Sequence, residues 1–480
     1  MRRVALAATS ALCLALLAPP ASALTASPSV EYAAAYRIGL EAYVYGLPLL
    51  TTNKTFLTMT SSDVSQGTFG PVNTFNSNRG ANNATSTAVV APGATSLSSI
   101  AWLDLTAGPQ VLHVPKVTGH AFVLALIDPY TTNLVNLGSA SRTPPGDYVV
   151  RDPSQRSVTL PPGVHALDVD YSRIWVIGST QLKGPSDVPA VNAIQDGYTL
   201  TSLADFVNGT AASTPAATQP SITEFAVPGG LQFFDTLGQL LEQFPPPSRD
   251  DPALRSFATV GIGPGLTPSQ NTHLSPDTLS GLAAAATDGP AQVKRDTVAL
   301  SAADFDQHNG YLLGGFGRYG TDYVRRAVIS QIGLGAFVPE QAVYAMAWTD
   351  HRRRALNGSQ RYVVHLPEPP PTREGWSLTV YDLNGALMPN PINRFALTDT
   401  SMLSRNADGS VDIYVQAREP RSTERRRNWL PVTAGQGFEV VWRLFAPNPT
   451  DITGILTGRG WQPPAISVGR SPLRRGAGPD

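Results

Sequence analysis

Two aspartates follow apolar, strand-like runs, and their carboxylates are candidates for acid and base catalysis. Asp104 ends the run AWLD, and Asp128 follows the run FVLALI. Two carboxylates can act as acid and base on a glycoside or a similar substrate when they lie about 5 to 10 Å apart. Alternatively, each carboxylate accepts hydrogen bonds from its own turn. The pattern therefore predicts either a hydrolase site at Asp104 and Asp128 or two separate turns.

The stretch GRYGTDYVRRAV at residues 317–328 combines aromatic, acidic and basic side chains at helical spacing. A helix with Thr321 as its N-cap would place Asp322 in the first turn, within salt-bridge reach of the two following arginines. Tyr319 and Arg326 could then share a face. Two interpretations stay open: a pocket in which Arg326 binds an anionic or carboxylate group, and a capped helix that packs between domains.

Two histidines flank a turn-like segment. In QVLHVPKVTGHAFVLALID, His113 and His120 lie on either side of a stretch with Pro and Gly, a pattern typical of a hairpin. Two cross-strand histidines can hold a metal ion if a carboxylate joins them. The alternative is a solvated or hydrogen-bonded pair.

Large aromatic side chains and one further arginine are candidates for ligand contact. Trp102 and Tyr130, together with Trp376 and Trp461, could line a surface on which a sugar ring stacks, or could be core residues. Arg394 follows a turn in NPINRFAL and is predicted to brace two β domains beside such a ligand.

No motif predicts a cofactor. The sequence has no Gly-x-Ser-x-Gly elbow and no Gly-Lys-Ser/Thr phosphate loop. The glycine-rich GIGPG at 261–265 lacks the strand–helix context of a dinucleotide loop.

The N-terminal residues predict export. Arg2 and Arg3 precede an apolar run that is too short to span a membrane, and Ala-Ser-Ala at 21–23 fits a signal-peptide cleavage site. Cleavage would remove Cys13, the only cysteine, and would leave 33 basic against 36 acidic residues. A net charge of −3 gives no basic footprint for nucleic acid. We therefore expect a soluble protein outside the cytoplasm, extracellular or periplasmic, with no membrane span.

The composition and the periodicity favour an α+β protein that is mainly β. Only 15% of the residues are charged, and the 42 glycines and 42 prolines favour short strands and turns. Helical spacing predicts a helix over 29–50 that Pro48 ends, and further helices within 222–244 and 275–300. Strands are predicted in 88–180 and again after 367.

Period-two alternation is clearest in VDIYVQ and FEVVWRLF. In the latter run the apolar residues alternate with Glu439 and Arg443, which predicts a strand with one buried face. The predicted organisation is a signal peptide (1–23), an N-terminal helix plus first β-sandwich (24–190), a helical linking region (191–345), a second β-sandwich (346–468) and a disordered tail (469–480).

Several motifs in fixed order carry a family resemblance. They include AYVYGLPL, AWLDLTAGPQVLHVP and VLALIDPYTTN, and later GRYGTDYVRRA, GWSLTVYD, NPINRFAL and VVWRLFAPNP. The chain resembles proteins with the tandem domains of unknown function DUF1254 (N-terminal) and DUF1214 (C-terminal). The resemblance implies two jelly-roll-like β-sandwiches with helical segments between them, and no settled activity.

The chain departs from the family pattern at a few polar positions. Gly93, Thr95 and Ser98 stand where the family usually has Asn, Asp and Tyr, and Ser179 stands where it has Arg. If those groups carry the chemistry of the family, this chain has altered or lost it.

Three functional hypotheses follow. The first is an exported protein that binds a small or carbohydrate-like ligand in a groove between the sandwiches. The second is a hydrolase that uses the paired carboxylates, and the third is a non-catalytic structural or envelope protein. Whether the chain is an enzyme stays open at this point, and each hypothesis is compatible with a homo-oligomer.

Overall fold

The computed structural model describes residues 28–86, 89–210 and 222–469. The predicted signal peptide, and all of the predicted tail except residue 469, lie outside the described residues. Helices stand at the N-terminal end of the described chain and between two sheet regions, so the predicted α+β class is confirmed.

The first sheet region is a sandwich of two sheets. The five-stranded sheet has the order β1-β2-β8-β4-β5 and the four-stranded sheet the order β7-β6-β3-β9. Leu103 and Val176 from the first sheet share one apolar core with Leu112 and Val150 from the second. The strands are β1 Asn76–Ser77, β2 Ser96–Asp104, β3 Gln110–Val114, β4 Phe122–Ile127, β5 Asn133–Gly138, β6 Gly146–Arg151, β7 His165–Asp168, β8 Arg173–Gln181 and β9 Thr199–Ser202.

The second sheet region repeats this plan. A five-stranded sheet of order β10-β11-β17-β13-β14 faces a four-stranded sheet of order β16-β15-β12-β18. Leu378 and Val440 from the first sheet share a core with Val364 and Ile413 from the second. The strands are β10 Leu312–Leu313, β11 Ala342–Ala347, β12 Tyr362–Leu366, β13 Trp376–Asp382, β14 Ala396–Thr398, β15 Val411–Gln416, β16 Trp429–Pro431, β17 Phe438–Phe445 and β18 Ile466–Val468.

The two five-stranded sheets also pack against each other. Side chains alternate across a strand, so Leu103 of β2 faces its own sandwich core while Trp102 faces the other sandwich. Trp102 shares an apolar cluster with Tyr344 of β11 and Val441 of β17. The result is a four-layered stack of sheets.

This stacking changes the expectation for FEVVWRLF. The sequence pattern predicts a strand with one buried face, but both faces of β17 are buried. Glu439 is 6% exposed and Arg443 is 7% exposed, because the first sandwich covers the face on which they lie.

Nine α-helices occur within the described residues. They are α1 Val30–Met59, α2 Val188–Asp196, α3 Leu203–Asn208, α4 Leu231–Gln243, α5 Asp251–Ala258, α6 Pro276–Phe305, α7 Tyr323–Ile332, α8 Thr423–Arg427 and α9 Ile452–Leu456. The helices predicted within 222–244 and 275–300 correspond to α4 and α6. None of the helices in the described ranges is both long and apolar enough to cross a membrane.

The first helix does not end where the sequence predicts. α1 continues eleven residues past Pro48, although proline removes one helix hydrogen bond and crowds the preceding turn. Residues 42–50 are all buried, so apolar packing on every side of the helix offsets that cost. At Gly281 of α6 an added Cβ would lie 2.5 Å from the carbonyl oxygen of Tyr32, which shows how closely α1 and α6 approach.

The predicted hairpin around His113 and His120 is also wrong. β3 pairs with β6 and β9 in the four-stranded sheet, whereas β4 pairs with β8 and β5 in the five-stranded sheet. The segment between β3 and β4 therefore crosses from one layer of the sandwich to the other, because both runs have an apolar face for the same core.

Candidate functional site

The structure places the two candidate carboxylates in separate turns. The Thr106 amide and hydroxyl donate to Oδ1 of Asp104 at 3.0 and 2.6 Å. The Thr132 amide donates to Oδ1 of Asp128 at 2.8 Å. Each carboxylate thus closes its own turn, and neither lines the cleft described below. Burial raises the pKa of Asp128 to about 7, against the opposing effect of the Arg326 charge.

Arg326 and Tyr130 do come together, in an aromatic cage. The guanidinium carbon of Arg326 lies 4.9 Å from the ring centroid of Tyr45, 5.1 Å from that of Tyr323 and 5.5 Å from that of Tyr130. Its Nη2 donates to the Tyr45 carbonyl at 3.3 Å, and the side chain is 2% exposed. Arg326 therefore ties α7 to α1 and to the turn after β4, while its buried Nε has no hydrogen-bond partner.

A buried carboxylate extends this network. Asp250, which is fully buried, accepts hydrogen bonds from the hydroxyls of Tyr45 and Tyr323, both at 2.9 Å. Burial, together with the bond to Asp250, raises the pKa of Tyr323 to about 12. Both phenols therefore stay protonated and serve as donors, which fixes α1 and α7 to the turn that precedes α5.

Helix α7 begins one residue later than predicted. Asp322, not Thr321, is the N-cap, and its Oδ1 accepts from the Arg325 amide at 3.0 Å. Asp322 lies on the surface side of the helix start, with a half-exposed side chain. Tyr319 is buried in the cluster between the two five-stranded sheets.

The remaining candidates lie apart from one another. Trp102 stacks on Trp175 with 4.8 Å between ring centroids, inside the stack of sheets. Arg394 Nη1 donates to the carbonyls of Arg426 and Trp429 at 2.9 and 3.0 Å. Both acceptors belong to the second sandwich, so Arg394 braces that sandwich internally, not the two against each other.

The two histidines have different partners. Nδ1 of His113 lies 2.7 Å from a carboxylate oxygen of Asp147, and Nε2 of His120 lies 3.0 Å from one of Asp187. Among the residues that the structure describes, no group of three or more His, Cys, Asp or Glu side chains could hold a metal ion.

A cleft of about 520 Å³ lies between the two five-stranded sheets. Its volume falls within the range of small-molecule sites. We call it the interdomain cleft. It is lined from both sandwiches, among others by Thr95, Ser98, Trp175, Ile177, Ser179, Tyr344, Met346, Arg443 and Phe445, and at its edge by Glu224.

Arg443 is the only arginine or lysine on this lining within the described residues. Its Nη2 donates to the Ala91 carbonyl at 2.8 Å, but its buried Nη1 has no hydrogen-bond partner. In the sheet, Tyr344 and Ser377 flank it on the neighbouring strands. A buried donor without a partner is costly, and the cost is larger for a charged group.

Glu439, an acidic residue on the same strand, compensates the charge of Arg443 only in part. Burial raises the pKa of Glu439 to about 7, although the Trp348 side chain and the Arg443 charge act in the opposite direction. Glu439 is therefore only partly ionised at neutral pH. Within the described residues no ion pair joins Arg443 to a carboxylate. Its guanidinium carbon lies 5.8 Å from the ring centroid of Tyr344 and 5.4 Å from that of Tyr381.

Neutral donors accompany this cation. The buried Nε1 of Trp175 has no partner. The hydroxyls of Thr95, Ser98 and Ser179 make no hydrogen bond with the described part of the chain. The cleft therefore offers one guanidinium, one indole N–H and several hydroxyls beside apolar side chains, a set suited to an acidic, hydroxyl-bearing molecule.

Two family models match the chain at its two sheet regions. Residues 72–202 match the protein of unknown function DUF1254, and residues 341–449 match the protein of unknown function DUF1214. The chain belongs to the DUF1254–DUF1214 family. No curated protein matches it.

A solved structure shares the fold of this DUF1254–DUF1214 chain. The VPA0106 protein from Vibrio parahaemolyticus superposes with a TM-score of 0.64 at 20% sequence identity, over 91% of this chain and 100% of that one. At that identity the likeness shows a common fold. An uncharacterised protein from Burkholderia cenocepacia aligns with a TM-score of 0.40 at 12% identity, over 92% of this chain and 94% of that one.

The four positions that the sequence resemblance marks as departures lie together in space. Gly93, Thr95, Ser98 and Ser179 all line the interdomain cleft. All four positions have small, neutral side chains in this chain. The sequence marks these positions as unusual but cannot place them in one cavity.

Sequence reasoning missed Arg443 and Trp175. The available signal was the pair of charged residues, Glu439 and Arg443, within an otherwise apolar strand. Two charges on one face of a strand predict a solvated face unless a second sheet is known to cover it.

Proposed function

We propose that this protein binds a small sugar acid in the interdomain cleft. The carboxylate would occupy the position beside Arg443, and the hydroxyls would face the serine and threonine side chains of the first sandwich. The observation that carries the proposal is the unpartnered, buried Nη1 of Arg443 in a cleft of about 520 Å³.

Electrostatics favours an acid over a neutral sugar. A carboxylate can accept a charge-assisted hydrogen bond from the guanidinium, which is roughly twice as strong as a neutral one. Glu224, the acidic residue of the lining, is exposed on the segment before α4, so it does not occupy the buried position beside Arg443.

Titration calorimetry with matched sugars tests the proposal. Glucuronate and galacturonate should bind, whereas glucose and galactose should bind at least about tenfold more weakly, because they lack the group that pairs with Arg443. Arg443→Met should remove that preference for the acids.

Two variants control for a general loss of structure. Arg394→Met removes another arginine that donates to backbone carbonyls, but far from the cleft lining, and should leave glucuronate binding unchanged. Ser98→Tyr should block the cleft by volume alone. Equal binding of glucose and glucuronate, or glucuronate binding that survives both Arg443→Met and Ser98→Tyr, would refute the proposal.

The hydrolase hypothesis has less support. It needs Asp104 and Asp128 in one solvent-reaching site, and each of them is bonded to its own turn. Binding without chemistry is therefore the simpler proposal for this cleft.

Export is part of the same proposal. It is supported by the charged, apolar and small-residue segments of residues 1–23. N-terminal sequencing of the protein from the producing cells should give Leu24 as the first residue. Arg2→Glu together with Arg3→Glu should reduce processing, and an unprocessed chain in the wild type would contradict export.

A further inference from the structure

A second cavity, of about 850 Å³, lies outside the interdomain cleft. One wall is a continuous face of α6, from Ala286 through Pro290 and Val293 to Phe305. Tyr43 and Leu47 of α1, the segment 227–229, and Leu312, Trp348 and Leu383 of the second domain region complete the lining. We call this cavity the α6 groove.

The groove is long and predominantly apolar. Its lining positions on α6 run from Ala286 to Phe305 and span 20 residues, a rise of about 28 Å. Val298 and Leu383 on its lining are 66% and 63% exposed, which is unusual for large aliphatic side chains that lie in one cavity. The groove thus presents an elongated apolar surface to solvent.

The polar groups along the α6 wall are already bonded. The Thr297 hydroxyl donates to the Val293 carbonyl at 2.9 Å, and the Ser301 hydroxyl donates to the Thr297 carbonyl at 2.8 Å. The Gln331 amide nitrogen lies 3.2 Å from the Thr51 hydroxyl, to which it donates. These groups have few donors left for a polar ligand, so the interior suits a hydrocarbon chain.

The charges of the groove have one sign. Lys294 and Arg353 line it, and no acidic residue does among the described residues. Arg353 is paired with Asp306 at 2.9 Å and lies over the Phe305 ring. Lys294 lines the groove, is exposed, and makes no hydrogen bond or ion pair with the described chain. A lysine in such a position can lay its methylene stem on apolar surface and keep its ammonium group in water.

We infer that the α6 groove binds a long-chain fatty acid. The acyl chain lies along the apolar face of α6, and the carboxylate meets the ammonium group of Lys294. One free cation at the mouth of an elongated cavity without acidic residues matches a single anionic head group on a long apolar chain. This site shares no described lining residue with the interdomain cleft.

Calorimetric titration of the delipidated protein tests both the contact of the acyl chain with the groove and the contact of the carboxylate with Lys294. Laurate, myristate and palmitate should bind with increasing affinity, by about two- to fourfold for each added methylene, because each one buries more apolar surface. Dodecanol and dodecyltrimethylammonium should bind more weakly than laurate. Dodecyltrimethylammonium should be weakest, since it repels Lys294.

Paired variants on α6 separate the groove from the rest of the helix. Lys294→Gln should weaken laurate binding by about two- to fivefold, as for a solvent-exposed ion pair, whereas Arg295→Gln, whose residue does not line the groove, should not. Ala302→Trp places a bulky ring at the lining and should weaken binding at least about tenfold. Ala303→Trp, one position away and exposed, should bind as the wild type does.

Thermal melts of the four variants establish that each one folds. The inference is overturned if no fatty acid binds the folded wild type, if dodecanol binds as tightly as laurate, or if Ala302→Trp and Ala303→Trp behave alike. Glucuronate binding should be unchanged in Ala302→Trp, so failure at the α6 groove is distinguishable from failure at the interdomain cleft.

Discussion

Asp128→Asn provides a direct test of the buried carboxyl group in the first sandwich. Burial raises the pKa of Asp128 to about 7, from an ordinary value of 3.8. Two neighbouring cations, Arg326 and Arg249, and the Thr132 amide act in the opposite direction. Asparagine retains the oxygen that accepts from the Thr132 amide but cannot ionise, so the variant isolates the effect of the charge.

The sign and size of the effect follow from linkage. The folded state holds the proton more tightly, so Asp128 contributes its full stabilisation below pH 4 and loses it as the pH rises to about 7. A shift of about three pKa units corresponds to about 4 kcal/mol over the whole range, and to about 2 kcal/mol between pH 5 and pH 7. Between pH 5 and pH 7, the free energy of unfolding of the wild type should therefore fall by about 2 kcal/mol relative to that of Asp128→Asn.

Urea unfolding at pH 5, 6, 7 and 8 measures this difference. Glu439→Gln is the matched control, because burial also raises the pKa of Glu439 to about 7, but on the face of β17 that the first sandwich covers. The two effects should add, since distant sites are independent. A difference between wild type and Asp128→Asn that is constant with pH, or that grows with pH, would refute the reasoning and indicate an ionised Asp128 held by Arg326.

Three further predictions concern stability. Gly289→Ala should lower the free energy of unfolding by about 1 to 3 kcal/mol in urea denaturation, because the new Cβ would lie 2.4 Å from the Tyr43 ring. An increase in stability would contradict the close approach of α1 and α6. Tyr45→Phe should lower the free energy of unfolding by about 1 to 3 kcal/mol, since it removes a hydrogen-bond donor from buried Asp250. Tyr36→Phe, which removes an exposed hydrogen bond to Asp288, should change that free energy little. Equal effects of the two variants would be inconsistent with the buried network. Tyr381→Phe removes the 2.7 Å bond from its hydroxyl to the Pro92 carbonyl, so hydrogen exchange of the Ala91 amide should speed up, and unchanged exchange would count against this interdomain bond.

The sequence predicts the local structure of this chain better than it predicts which sheets pack against each other. The alternation in VDIYVQ correctly places Val411, Ile413 and Val415 on one buried face of β15. Such a pattern reports which residues share a face, and that information is local. It does not report whether a second sheet covers the opposite face, so it assigns Glu439 and Arg443 to a solvated surface.

The prediction of the candidate site from sequence is limited by the same lack of long-range information. The cage around Arg326 takes its rings from Tyr45, Tyr130 and Tyr323, which belong to three distant parts of the chain. Helical spacing alone brings Tyr323 close to Arg326. The other two rings arrive only through tertiary packing, as do the two walls of the interdomain cleft.

The face-to-face contact of the two five-stranded sheets restricts how this chain can be divided. Expression of residues 72–202 alone would expose Ile100, Trp102 and Trp175 to water, and a segment cut at 341–449 would expose Tyr344 and Val441 in the same way. In the folded chain, each half covers apolar side chains of the other half. A chimera that takes one half from a relative will therefore have to match the two faces, with Trp102 and Trp175 on one side and Tyr344 and Val441 on the other.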